Sequence, residues 1–218
     1  SDLSDKLGYP IWDSGIGLAH SVRTVGQTRA FADDDREAVL GLLGIRHVAG
    51  DGALTTAVRS QILARWRAAA DRRLPELHES CVDRAERFGE MAFLLEPDLK
   101  ESRGGIRDFH ALMAIAAAQR ADVPRAVVQS SKHLLLDVRS ELHRLVAGRG
   151  RPSDRLRLQD QDAVAAALDL YADGLIAPVS LEARPLAFSL YWVWRLVFPG
   201  LPTQTPGIFG CRCPHAPP

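Results

Sequence analysis

Apolar residues recur every three or four positions through most of the chain, which is the spacing that one face of an α-helix requires. The first long stripe contains Leu54, Val58, Ile62 and Trp66, and the second contains Leu77, Cys81, Ala85, Phe88, Ala92 and Leu95. We expect Asp51 to cap the first helix and Pro75 to begin the second. The pair Glu96-Pro97 should end the second helix, because the residue before proline disfavours helical backbone angles.

The helical pattern continues after a loop that follows Pro97. Further helices are predicted over residues 106–120, 127–145, 159–170 and 178–196. The first thirty residues differ, because turn residues at 8–10 interrupt any helix there. Residues 16–23 alternate roughly in polarity, which predicts a short strand. Thr24 should then cap a helix, in a capping box with Gln27.

Composition and charge exclude several classes of protein. The chain has 218 residues, with 27 Lys and Arg against 27 Asp and Glu, so its formal net charge is +0. This balance gives no sign of a nucleic-acid partner or of a basic membrane contact. The apolar stretch at 186–196 is interrupted by Ser189 and Arg195 and is shorter than the ~18 residues of a membrane span. The N-terminus lacks the features of a signal peptide, so we expect a cytoplasmic protein.

The cysteines and the C-terminal tail suggest no metal centre. Three cysteines argue against a disulfide framework, and Cys81 occupies a helical core position. Cys211, Cys213 and His215 offer fewer than the four ligands that a structural metal site usually has. Six of the 13 prolines lie in the tail, 197–218, which we expect to be disordered. A reading frame that has left its normal course is the alternative explanation for this tail.

Two glycines with basic neighbours directly precede the helix predicted at 106–120. Lys100, Arg103 and Arg107 flank Gly104 and Gly105. Backbone N–H groups at a helix start attract phosphate, glycines allow close approach, and the cations add charge. Spacing alone still favours an ordinary loop with solvated charges, because short motifs often occur by chance.

A second polar segment surrounds the predicted N-terminal strand. Asp13 can present a carboxylate to a metal ion, and Arg23 can bind a triphosphate. His20 and Ser21 lie beside them in sequence. The alternative is a simple turn at Asp13 and a partly exposed His20, and this segment alone favours that alternative.

Together the two segments are far more specific. Trp-Asp-Ser-Gly at 12–15, His-Ser-Val-Arg-Thr at 20–24 and Glu-Pro-Asp-Leu-Lys-Glu-Ser-Arg-Gly-Gly-Ile-Arg-Asp at 96–108 resemble the bacterial PII uridylyltransferase/uridylyl-removing enzyme family. The resemblance covers roughly residues 5–195. It implies a transferase that uses UTP and Mg²⁺ to attach UMP to a tyrosine of PII, a nitrogen-regulatory signalling protein.

The resemblance also implies the fold and the domains. The expected fold is mainly α, a helical bundle with a short α/β remnant of a polymerase-β-type nucleotidyltransferase fold at the N-terminus. Residues 1–74 would be the C-terminal part of the nucleotidyltransferase domain, residues 75–196 the helical domain and residues 197–218 the tail.

The resemblance assigns candidate site residues as well. Asp13 is the candidate catalytic carboxylate. The candidate nucleotide-binding residues are His20, Ser21, Arg23, Lys100, Gly104, Gly105, Arg107 and Asp108. Lys100 and Arg107 would stabilise the charge of the leaving pyrophosphate.

The sequence departs from the family pattern at several points. We find no Gly-Ser turn leading to an Asp-x-Asp pair and no His-Asp pair, while Ala19 stands at a usual glycine and Arg103 at a usual proline. We therefore expect a fragment that is inactive by itself. These departures leave open whether it contributes to catalysis in an enzyme. The alternatives are a non-catalytic module that binds PII and a degenerate helical remnant.

Overall fold

A computed structural model of the chain describes residues 2–14, 20–147, 153–169 and 197. Within these residues the structure has eight α-helices and one short 3-10 helix. They are α1 (Asp2–Asp13), α2 (Val25–Asp34), α3 (Arg36–Leu43), α4 (Gly52–Ala68), α5 (Ala70–Phe88), the 3-10 helix (Met91–Phe93), α6 (Ile106–Ala117), α7 (Arg125–Val146) and α8 (Leu158–Ala167). The prediction of a mainly helical fold is confirmed for this part of the chain.

The N-terminal segment differs from the prediction. Residues 2–13 form α1 with Pro10 inside it, although turn residues were expected to interrupt a helix there. The rings of Tyr9 and Trp12 pack edge to face with centroids 5.7 Å apart, which is a contact between helical neighbours three positions apart. Gly8 leaves room for this packing, because a Cβ there would lie 2.7 Å from the Trp12 ring.

The predicted α/β remnant is not seen in the described residues. Residues 20–23 form no regular element, and residues 15–19 lie outside the described part. In the described residues, pairing between extended segments is limited to two isolated bridges, Glu90 with Arg103 and Asp98 with Arg155.

Side-chain caps define the helix starts in the N-terminal part. Gln27 N donates to Thr24 Oγ1 at 3.2 Å, and Thr24 N donates to Gln27 Oε1 at 2.8 Å, so the capping box is confirmed. Asp51 accepts from Ala53 N at 2.8 Å, which confirms the second predicted cap. Asp35 ends α2 and caps α3, so it divides a stretch that the apolar pattern leaves continuous.

The helix α5 departs from its prediction at both ends. It begins at Ala70, so Pro75 lies inside it rather than at its start. It ends at Phe88 because Gly89 adopts a φ of 69°, a left-handed conformation that commonly terminates helices. The apolar residues that continue the stripe after Gly89 therefore belong to the 3-10 helix and the following loop.

The chain divides into two compact units, Ser1–Arg73 and Leu74–Pro218. In the first unit α2, α3 and α4 pack together, and Ala32, Val39, Ile62 and Trp66 are buried. Leu54 is 57% exposed, so the apolar stripe of α4 is buried only toward its C-terminal end.

In the second unit, α7 packs against both α6 and α8. These helices agree with the predicted ranges to within three residues. Their core consists of Phe109, Leu112, Ile115, Val128, Leu135, Val138, Leu142 and Val164. The helix predicted at 178–196 lies outside the described residues, as does the tail apart from Val197, and the three-domain assignment stays a prediction.

None of the described helices combines the length and the apolar character that crossing a bilayer needs.

Replacing Thr24 with alanine tests the capping box. Thr24→Ala removes the acceptor for Gln27 N, and we expect the free energy of unfolding to fall by about 1 kcal/mol. Thr28→Ala is the matched control, because it makes the same change four residues later inside α2 and should have little effect. Urea denaturation followed by circular dichroism measures both, and equal stabilities of the two variants would contradict the prediction.

Candidate functional site

The loop that precedes α6 is attached by its backbone to the segment after α5. Arg103 N donates to Gly89 O at 2.9 Å, and Met91 N donates to Arg103 O at 3.0 Å. These bonds produce the parallel bridge between Glu90 and Arg103. One side of the loop is therefore fixed independently of its side chains.

The opposite side of the loop is attached to the segment before α8. Leu99 N donates to Asp154 O at 2.9 Å, and Leu156 N donates to Pro97 O at 2.9 Å. The loop is therefore held between two backbone segments that are far apart in sequence, which limits how far its Cα positions can move.

Carboxylates strengthen this second attachment. Asp154 Oδ1 accepts from Arg139 Nε at 2.7 Å and lies 2.8 Å from His143 Nε2, both on α7. Glu96 Oε1 accepts from Leu158 N, the first residue of α8, at 3.1 Å. The loop, α7 and α8 are thus joined by polar contacts outside the apolar core.

Asp98 and Ser102 organise the interior of the loop. Asp98 Oδ1 accepts from Lys100 N at 2.9 Å and from Glu101 N at 2.8 Å. Ser102 is fully buried, and its hydroxyl accepts from Asp98 N and donates to Phe88 O, each at 3.1 Å. Short polar side chains here satisfy backbone groups of a tight turn.

The two glycines are required by backbone geometry. Gly104 has a φ of 86°, and its N–H donates to Asp108 Oδ2 at 2.7 Å. A Cβ at Gly105 would lie 2.8 Å from Ser102 O and 2.9 Å from Leu99 O. Because both oxygens belong to the fixed backbone, a larger residue at 105 would force the loop apart.

The backbone donors at the start of α6 already have acceptors within the protein. Gly105 N donates to Ser102 O at 2.8 Å, Ile106 N donates to Leu99 O at 3.1 Å, and Arg107 N donates to Lys100 O at 3.1 Å. A phosphate group would have to displace these bonds to reach the N–H groups. Side chains, rather than the helix start, are the groups of this loop that can meet an anion.

Asp108 forms a buried ion pair with Arg84 of α5. Only 2% of the Asp108 side chain and 11% of the Arg84 side chain are exposed. Burial raises the pKa of Asp108, and the charge of Arg84 and the hydrogen bond from Gly104 oppose this effect. Asp108 therefore stabilises the loop from the protein interior, and its side chain is not accessible to a ligand.

Lys100 and Arg107 are two partly exposed cations of this segment. Their side chains are 37% and 33% exposed, and both contact one carboxylate, Glu101, at 3.4 Å and 3.5 Å. The structure thus brings Lys100, Gly104 and Gly105 of the loop together with Arg107 and Asp108 of the first turn of α6, and their side chains have different environments. Their role in binding a nucleotide stays a prediction.

The remaining candidates lie in the first unit. Asp13 is exposed at the end of α1. The His20 ring lies 5.2 Å from the Trp12 ring, and the Arg23 guanidinium lies over the Phe31 ring at 3.7 Å. Ser21 is exposed. The part of the chain that the structure describes holds no group of three His, Cys, Asp or Glu side chains that could bind a metal ion.

Sequence reasoning missed three residues beside the loop, Arg84, His110 and Lys132. Arg84 lies 24 positions from its partner Asp108, so no local spacing indicates the pair. His110 follows Arg107 by three positions on α6, which is a signal of a shared helix face. Lys132 lies on another helix, and only the packing of α6 against α7 places it there.

Comparison with known proteins identifies the family. Residues 72–178, which include the whole loop, match the family model described as GlnD PII-uridylyltransferase. Over these residues the chain belongs to that family. The resemblance inferred from the sequence is thereby confirmed.

Two relatives illustrate the extent of the GlnD match. The bifunctional uridylyltransferase/uridylyl-removing enzyme of Streptomyces coelicolor is 52% identical over 196 residues, which is 89% of this chain and 23% of the relative. That of Mycobacterium tuberculosis H37Rv is 43% identical over 174 residues, 76% of this chain and 21% of the relative. The chain therefore spans less than a quarter of the length of these relatives. No solved structure matches it significantly.

Replacing Gly105 with alanine tests the glycine geometry. The new Cβ would contact backbone oxygens at 2.8–3.0 Å, and we expect a loss of about 1–3 kcal/mol in the free energy of unfolding. Gly41→Ala in α3 is the control, because no atom lies within 4 Å of its Cβ position and alanine favours helix by up to about 1 kcal/mol. Thermal and urea denaturation compare the two, and a Gly105→Ala variant as stable as wild type would contradict the steric argument.

Neutralising Asp108 tests the buried ion pair. Asp108→Asn leaves Arg84 buried without a carboxylate, and we expect a loss of about 3–5 kcal/mol in the free energy of unfolding. Glu141→Gln removes a carboxylate from the well-exposed Arg144 and should change stability little. If urea denaturation gives similar losses for both variants, burial is not what makes the Asp108 pair matter.

Proposed function

We propose that this chain is a segment of a cytoplasmic uridylyltransferase that transfers UMP from UTP to a tyrosine of PII. The observation that carries the proposal is the 52% identity over 196 residues to a bifunctional uridylyltransferase/uridylyl-removing enzyme. The family match over 72–178 supports it, because that range contains the loop with Lys100 and Arg107.

In this proposal the loop supplies charge to the nucleotide. Lys100 and Arg107 hold cationic side chains at a backbone that is attached on both sides, so an anion meets them with little rearrangement. Preorganised cations stabilise the charge that develops on phosphate oxygens as a leaving group departs. The proposed task of both residues is to bind the triphosphate and to stabilise the leaving pyrophosphate.

Mg²⁺ is part of the expected chemistry of such transfers, and in the enzyme it would neutralise the triphosphate. Asp13, the candidate carboxylate, lies exposed at the end of α1, and the described residues present no three-ligand cluster around it. The residues that the structure describes therefore do not form a magnesium site, and the proposal assigns this chain no step that runs through the metal.

The proposal also includes the expectation that residues 1–74 are the C-terminal part of a polymerase-β-type nucleotidyltransferase domain, and the identity to the relatives supports it. We expect the chain by itself to bind UTP without transferring UMP. The Gly-Ser turn that leads to an Asp-x-Asp pair, which the resemblance associates with the metal site, does not occur among its 218 residues.

UTP binding tests the nucleotide part of the proposal. Calorimetry with magnesium should show binding of UTP to the chain, weakened about tenfold in Arg107→Gln because a charge-assisted contact is lost. Arg144→Gln is the matched control, since it neutralises an exposed arginine on a different helix, near the C-terminal end of α7. No heat of binding up to millimolar UTP would overturn the proposal, as would equal losses in the two variants.

A PII assay separates the proposal from its non-catalytic alternative. Immobilised chain is mixed with PII in the presence and absence of UTP, and transfer is followed with labelled UTP. Retention of PII by a chain that does not bind UTP supports a helical PII-binding module and contradicts the nucleotide site. Labelled PII would contradict the expected inactivity of the isolated chain.

A further inference from the structure

The ammonium group of Lys132 and the imidazole of His110, from two different helices, meet at the ring of Phe109. This ring is 4% exposed on α6. The Nζ atom of Lys132, on α7, lies 4.5 Å from the ring centroid. The imidazole of His110 packs against the ring with its centroid 5.8 Å away. An ammonium group over an aromatic face is held there by the ring quadrupole, so Lys132 is positioned beside α6.

Two more cations, Lys100 in the loop before α6 and Arg107 in the first turn of α6, lie near enough to His110 to act on its charge. Arg107 lies three residues before His110, so both side chains lie on the same side of α6. Arg107 and Lys100 are linked through Glu101 at 3.5 Å and 3.4 Å. Lys100, Arg107, His110 and Lys132, named here the basic surface, lie on the loop, α6 and α7, and the three cations among them all act on the charge of His110.

The contacts of Glu101 leave Lys100 and Arg107 available for a ligand. A tight hydrogen bond between a cation and a carboxylate measures about 2.7–2.9 Å, and both contacts here are longer, at 3.4 Å and 3.5 Å. One carboxylate is shared between two permanent cations, and Lys132 adds a third. An incoming anion can therefore displace Glu101 at modest cost.

The charged groups around His110 show the same excess of positive charge. His110 is exposed, yet desolvation by the packed atoms around it lowers its pKa, and neighbouring charges lower it further. The charged groups that act on it are all cations, in decreasing order Arg107, Lys132, Arg84 and Lys100. A negatively charged ligand placed among them would reverse this effect.

We propose that Lys100, Arg107, His110 and Lys132 form one binding surface for a polyphosphate, either the triphosphate of a nucleotide or free pyrophosphate. Several positive charges close together can pair with several charged oxygens of a polyphosphate, whereas the N–H groups of Gly105, Ile106 and Arg107 are occupied within the protein. The inference rests on the proposed function for the identity of the nucleotide, UTP. It adds His110 and Lys132 as binding residues.

The pKa of His110 in the full chain is the first measurement. Imidazole signals are followed by NMR against pH, with His110→Gln used to assign the signal. Saturating pyrophosphate should raise the pKa of His110 by about half a unit or more, because a nearby anion favours the charged imidazolium. Uridine, which has no phosphate, should leave it unchanged. An unchanged pKa with bound pyrophosphate would overturn the proposal.

Affinity of the variants is the second measurement. Lys132→Met keeps an apolar side chain against Phe109 and removes the charge, and it should weaken pyrophosphate binding about tenfold. Arg144→Gln, which neutralises an arginine near the C-terminal end of α7, should bind as wild type does. Equal weakening in the two variants, or none in Lys132→Met, would contradict the basic surface.

Two outcomes separate this inference from the proposed function. If pyrophosphate binds and depends on Lys132 while UTP does not bind, the surface is supported and the uridylyltransferase role of the chain fails. If UTP binds and depends on Arg107 while His110 and Lys132 have no effect, the nucleotide proposal is supported and the extended surface is refuted.

Discussion

The buried carboxylate of Asp108 joins three parts of the second unit. It pairs with Arg84 of α5, accepts the N–H of Gly104 from the loop at 2.7 Å, and belongs to the first turn of α6. Removing both groups from water is costly, and only good geometry with further hydrogen bonds compensates that cost. Together with the backbone bonds of the loop, this arrangement holds the first turn of α6, which carries Arg107, against α5.

Much of the helical fold could be predicted from the sequence, because apolar periodicity and capping residues are local signals. Thr24 and Asp51 cap their helices as expected, and α6, α7 and α8 lie where their stripes predict them. Periodicity failed where one residue type decides the local backbone. At Gly89 the apolar stripe continues although the helix stops, and the φ of 69° that stops it leaves no trace in the hydrophobic pattern.

The segment that forms the candidate site could be predicted from the sequence, but the contacts within it could not. The string of residues at 96–108 is specific enough to indicate the family, but the expected task of its glycines was contact with phosphate. Gly105 is instead packed against backbone oxygens at 2.8–3.0 Å. Such close approach and the Arg84 pair depend on residues brought together by folding. The same holds for Lys132, whose place beside Phe109 follows from the packing of α7 on α6.

Backbone hydrogen bonds hold the loop in place, whereas its side chains carry its charge. The bonds from Arg103 N to Gly89 O and from Leu99 N to Asp154 O use no side-chain atoms, so replacing a partly exposed side chain such as that of Lys100 removes neither of them. A ligand that binds here immobilises side chains, at about 0.5–1.5 kcal/mol each, without first ordering the chain that carries them. Selectivity among anions can therefore change through substitution of displayed side chains while the loop itself stays the same.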